Sequence, residues 1–205
     1  EAHPLVIDLM ESFPENPNLF FLGAKVAFLR GDFELAVTRI SRALELRPDW
    51  TEAQRLSEEM ERELKAWDQG QRYSSTHFVC VASGDDLGMV RLSKYASEVL
   101  EESAKALELE LNLRLTEPVL VLLMRTEDFQ AHAPEWSAAI FDGRIRLALE
   151  EDADAEVFEA TVRHEVTHAA LHRLGYRLPT WMDEGLAQYM EGKSVAQARD
   201  RLVGA

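Results

Sequence analysis

The hydrophobic period of this chain changes once, and that change restricts its architecture more than any other feature. Residues 1–72 carry apolar side chains at helical spacing throughout. From His77 the pattern switches: "HFVCVAS", residues 77–83, is β-branched-rich and reads as a strand, and further strands then alternate with helices. Between them lies "DQGQRYSST", residues 68–76, which is polar, contains Gly70 and reads as a short linker. A length of 205 residues allows one large domain or two small ones at roughly 100–200 residues each. The change of period divides the chain into an all-α segment at 1–67, the linker, and an α+β segment at 77–205.

In the first segment, Pro17 to Trp50 implies two helices broken near Gly31, with Pro48 ending the second. Ala24, Ala36 and Ala43 let the paired helices approach closely. The pattern resembles one tetratricopeptide (TPR) repeat, whose period is about 34 residues. Pro14 and Pro48 stand one such period apart. On this resemblance Leu5 to Phe13 is the second helix of a preceding, truncated repeat, and Thr51 to Trp67 is a capping helix. The sequence departs from the repeat at Gly23 and Ala24, where a Leu-Gly pair is usual. The resemblance implies a protein-interaction segment. Because about three repeats are needed for a free-standing array, it leans on its neighbour or on further chain.

In the second segment, Val90 to Leu113 is a long amphipathic helix. Pro118 breaks it, Val119 to Met124 reads as a buried strand, and a loop holds Phe129, Pro134 and Trp136. Asp142-Gly143 between two apolar runs signals a hairpin whose central residues both take positive φ. Ile145, Leu147 and Leu149 alternate with Arg144 and Arg146, which predicts a strand with one buried face. Helices are expected from Asp154 to Leu174 and from about Trp181 to Glu191, with residues 193–205 a weak helix or frayed tail.

Composition narrows the chemistry. Lys and Arg total 22 against 37 Asp and Glu, a net charge of −15, with no basic cluster to neutralise phosphates; nucleic acid and anionic membranes are disfavoured as partners. The longest apolar run, Val119 to Met124, falls far short of the roughly 20 residues that span a bilayer. A first residue of Glu1 reads as a trimmed or processed product of a soluble protein, extracytoplasmic if a signal sequence was removed. The single cysteine, Cys80, reads as a buried strand residue and excludes a disulfide or a cysteine-rich zinc site. Any metal must be held by His and carboxylates.

His164-Glu165-Val166-Thr167-His168 meets that requirement. Four residues turn a helix by roughly 400°, so both imidazoles project from one face, and Glu165 stands beside the open position of a shared metal. A catalytic zinc takes three protein ligands. A third His six residues after the second is absent, because that position is Leu174 and Gly175 comes too late. His172 lies one turn past His168 and suits the helix end or a supporting contact better than ligation. The other source is a carboxylate on a following helix, and "LPTWMDEGLAQYMEG", residues 178–192, offers Glu184. Thr180 and Asp183 read there as a capping box, and Gly185 as a site of close approach to the first helix. His3, His77 and His132 have no metal-like spacing.

HEVTH followed by "LPTWMDEGLAQYMEG", with "WSAAIFDGRIRLAL" upstream, resembles the peptidase-MA-like gluzincins over roughly residues 74–192. The resemblance implies a small zincin-like domain in which a mixed sheet with an edge hairpin packs on the HExxH helix. It implies one Zn²⁺ held by His164, His168 and Glu184, peptide hydrolysis with Glu165 as general base, and an edge strand at Arg144, Ile145, Arg146 and Leu147 that pairs with the substrate. Tyr176 and Tyr189 are the candidate oxyanion donors, and Asp183 and Gln188 join His172 as candidate supports of the ligands. Two other functions fit the same residues: a TPR adaptor with a non-catalytic zincin domain, and a zinc hydrolase of a non-peptide bond.

Overall fold

The computed structural model describes residues 2–130, 133 and 137–192. They form two compact units, Glu1–Gln69 and Gly70–Ala205. No helix among the described residues is long and apolar enough to cross a membrane.

The first unit is four helices: α1 (Ala2–Ser12), α2 (Pro17–Leu29), α3 (Phe33–Leu46) and α4 (Thr51–Gln69). Asn16 caps α2 by accepting from the Asn18 N–H at 3.0 Å, with Pro17 pre-set in the first turn. Asp32 caps α3 through the Leu35 N–H. Gly31, at φ 79°, makes the turn between them. Ala24, Ala27, Ala36, Ile40 and Ala43 are buried where α2 and α3 pack together, and Phe33 closes the core edge-on to Phe28 at 5.7 Å and against Trp67 at 5.2 Å. Gly23 has a physical reason to be small. A Cβ there would stand 2.6 Å from the Met10 sulfur of α1, and its carbonyl accepts from Arg39 at 3.0 Å.

The second unit is an α+β fold with a five-stranded mixed sheet. Its elements are β1 (Gln71–Ser74), β2 (Phe78–Ala82), α5 (Leu87–Leu111), β3 (Val119–Arg125), α6 (Thr126–Gln130), β4 (Ala139–Phe141), β5 (Ile145–Leu149), α7 (Ala155–Arg173) and α8 (Thr180–Met190). The strand order is β1-β2-β3-β5-β4. The central three strands are parallel, and both outer strands run antiparallel to their neighbours. In register, Phe78, Cys80 and Ala82 align with Val119, Val121 and Leu123, and Val121 and Leu123 in turn with Ile145 and Leu147. Those side chains share one face and form a single core with Leu100 and Leu107 of α5 and Val162, Val166 and Ala169 of α7. Asp86 caps α5 through the Met89 N–H, and Asp154 caps α7 through the N–H groups of Glu156 and Val157; each cap contributes about 1 kcal/mol.

Five expectations need correction. The segment 68–76 is more than a linker: α4 runs through Gln69, and β1 pairs with β2, placing Tyr73 opposite Cys80. The loop after β3 holds α6, whose Phe129 is buried. The strand at Arg144–Leu147 is not an edge, because β5 lies between β3 and β4, and the edge is Ala139–Phe141. Nor does β5 have a solvent face: Arg144 and Arg146 are only 1% and 6% exposed. Buried guanidinium groups need anionic partners. The Asp142 carboxylate supplies one, 3.1 Å from Arg146 Nε and 3.6 Å from Arg144 Nε. The hairpin loop is three residues, 142–144, with positive φ at Gly143 alone. His132, Pro134, Trp136 and residues 193–205 lie outside the described residues.

Candidate metal centre

The centre is built by two consecutive helices folded back on each other. Gly175, at φ 77°, ends α7, with the Tyr176 N–H donating to the Leu171 carbonyl at 3.0 Å across the turn. Pro179, extended at ψ 145°, then opens α8 alongside α7.

On α7 the four-residue spacing brings the His164 and His168 rings to 4.6 Å between centroids, with their Nε2 atoms 2.9 Å apart. Glu184 of α8 approaches the same point: its Oε2 lies 3.7 Å from His164 Nε2 and its Oε1 3.6 Å from His168 Nε2. One donor atom from each residue falls within 4.8 Å of the others. Tetrahedral zinc with ligand bonds of about 2.0–2.1 Å requires donors about 3.3 Å apart, so these three fit such an ion.

Both Nδ1 atoms face carboxylates. His164 Nδ1 is 2.5 Å from Glu191 Oε1, and His168 Nδ1 is 3.2 Å from Asp183 Oδ1. An ionised carboxylate only accepts, so Nδ1 is the donor in each contact, and each ring turns its Nε2 toward the shared point. Two Nε2 atoms 2.9 Å apart, with a carboxylate beside them, form a group that could hold a metal ion.

Glu165, on the same helix, is 8% exposed and lies close enough to His168 and Glu184 to feel both. Burial pushes its carboxyl up to about 7, and the nearby Glu184 charge adds to the rise. His168 and a hydrogen bond from the Phe141 N–H hold it down. Phe141 belongs to the edge strand β4, so the base is tied to that edge. Glu184 has a side chain 47% exposed, which leaves the group open to solvent on that side.

The remaining candidates separate. Asp183 is not half of a capping box: the cap position is Pro179, no side chain caps α8, and the Asp183 carboxylate goes to His168. His172 packs edge-on to Phe141 at 5.4 Å and lies outside the metal group. Gln188 is half-buried one turn beyond Glu184. Tyr176 and Tyr189 are exposed, and Tyr189 projects roughly 140° around α8 from Glu184. Among the described residues, the structure brings neither tyrosine to the centre.

Gly185 is also corrected. It does not admit the first helix, because a Cβ there would meet nothing described within 4 Å. Its direction is roughly 100° from Glu184, on an exposed side of α8. Gly185→Ala is therefore expected to raise stability by up to about 1 kcal/mol, read as a higher urea midpoint with an unchanged slope.

Sequence reasoning missed Glu191. Its signal was its spacing, seven residues after Glu184, which returns to nearly the same helix face two turns on. His77, incidental to the metal, pairs with Glu101 at 2.8 Å. Cys80 is buried in β2, and burial pushes its thiol up to about 11. A separate cavity of about 370 Å³, lined by Leu92, Tyr95, Leu149 and Phe158 among others, opens by the start of α7 and does not include the histidines.

No family model matches this sequence, and neither the curated proteins nor the solved structures contain a match to it.

Proposed function

We propose that residues 77–192 form the core of a zinc metallopeptidase of the gluzincin type, with His164, His168 and Glu184 as ligands and Glu165 as general base. The convergence of two imidazole Nε2 atoms and the Glu184 carboxylate carries this reading. Bound there, zinc supplies a water activated near neutral pH and an electrophile for the scissile carbonyl.

The chain's own residues supply the rest. Glu165, buried and poised near neutrality, takes the proton of the attacking water and returns it to the leaving amine. The edge strand β4 offers its open side to an extended peptide, and pairing there holds the scissile bond beside Glu165. The link between the Phe141 N–H and Glu165 favours a peptide over a non-peptide substrate, because it joins the base to a peptide-pairing edge. The intact set of ligands and base speaks against a non-catalytic adaptor.

We read the first unit as TPR-like and suited to docking a protein. Its support is the close α2–α3 hairpin, with Ala24, Ala36 and Ala43 fully buried, and the Pro14–Pro48 spacing.

Metal analysis joined to cleavage of a mixed peptide library tests the proposal. The expected result is one zinc per chain and cleavage abolished by chelator and restored by zinc. A purified protein that holds no zinc sinks the reading. Zinc without cleavage of any peptide leaves a metal-binding adaptor in its place.

A further inference from the structure

The proposed zinc reading leaves open what fixes the two imidazoles in ligand geometry, and α8 answers that from three points. It supplies Glu184 to the Nε2 side, Asp183 to His168 Nδ1 at 3.2 Å, and Glu191, just past its end, to His164 Nδ1 at 2.5 Å. The two Nδ1 contacts are unequal. The Glu191 side chain is 9% exposed, whereas that of Asp183 is 38% exposed. A buried carboxylate at short range competes little with water, so it holds its imidazole more firmly than an exposed one.

From this geometry we infer that Glu191 is the dominant positioning residue of the centre: it fixes the Nδ1–H tautomer and ring orientation of His164, aims Nε2 at the metal, and so sets the affinity. Asp183 does the same for His168 with smaller effect. This inference rests on the proposed metal site. It adds that a residue outside the ligand-and-base set controls occupancy, and that α8 provides the third ligand together with both imidazole supports.

Glu191→Gln tests it, because the substitution keeps size and removes the charge. The variant, Asp183→Asn, the exposed control Glu156→Gln and wild type are titrated with zinc against a chromophoric competitor, using the full chain. In parallel, long-range nitrogen–proton NMR of the metal-free protein reports the His164 tautomer. The expected result is zinc affinity lowered about 10- to 100-fold in Glu191→Gln, less in Asp183→Asn, and unchanged in Glu156→Gln. Metal-free wild type shows His164 protonated at Nδ1, and Glu191→Gln loses that preference while its far-ultraviolet circular dichroism stays that of wild type.

Wild-type affinity in Glu191→Gln, or His164 protonated at Nε2 in the metal-free wild type, overturns the inference. Should Glu191→Gln fail to fold, the wild-type tautomer decides alone. Absence of zinc from the wild type defeats the metallopeptidase reading instead, and the tautomer measurement still tests the His164–Glu191 contact.

Discussion

Glu165→Gln is expected to keep one zinc per chain and to lose peptide hydrolysis by about 10²- to 10⁴-fold. The size of the loss follows from what the side chain does. Gln fills the same space and accepts the same hydrogen bond from Phe141, so neither the edge strand nor the helix is disturbed. It cannot take up a proton, so the attacking water and the leaving amine lose their common relay. On the proposed reading the loss falls on kcat, with KM nearly unchanged, because the substitution leaves the β4 edge intact for peptide pairing. Steady-state assays at matched zinc content check this. A fall in zinc content large enough to explain the loss would show that Glu165 serves the fold of the site rather than its chemistry.

The second large effect is on stability and requires no substrate. In chelator, Glu165 sits in the folded chain with a carboxyl pushed up to about 7 by burial, against 4.5 for the ordinary group. Below pH 4.5 both folded and unfolded chains hold the proton, and the residue contributes nothing to pH dependence. Between pH 4.5 and 7 the unfolded chain gives up its proton first, so the folded state loses stability as pH rises. Above pH 7 the loss is complete, at about 3 kcal/mol. Glu165→Gln has no such proton to lose. Metal-free wild type and variant should therefore unfold alike near pH 4, with the variant more stable by up to about 3 kcal/mol at pH 8. Saturating zinc should shrink the gap, since a cation nearby favours the carboxylate. Parallel urea-unfolding profiles across this range would contradict the burial account.

Local pattern and tertiary placement contributed differently to what could be read beforehand. His164 and His168 were legible because helical spacing is a local property, and Glu184 because a return helix of suitable length follows. The α+β class and most helices were legible for the same reason. The place of β5 was not. The alternation of Ile145, Leu147 and Leu149 with two arginines looks the same whether the strand is an edge or interior, and strand order is decided by the crossovers. The burial of Arg144 and Arg146 depends on Asp142 turning back toward them. β1 was hidden because "QRYS" carries only one apolar side chain, Tyr73, and takes its strand character from pairing with β2. Asp183 matched a cap motif, but Pro179 shifted the helix start and left its carboxylate to His168. Gly185 was assigned to packing because glycine in a helix is costly, and the structure shows open space there among the described residues.

The position of α8 bears on the order in which the protein is made. A ribosome delivers α7 with both histidines before any residue of α8, and Asp183, Glu184 and Glu191 follow in that order. A nascent chain that has emerged only as far as Pro179 carries two imidazoles with neither their third companion nor the carboxylates that orient them. On the proposed reading the hydrolytic centre is inert throughout synthesis of the sheet and its helices, and it becomes competent only when the chain has emerged through Glu191. On that same reading the last helix described is a built-in delay, since the proposed centre is complete only after every other described element has been made.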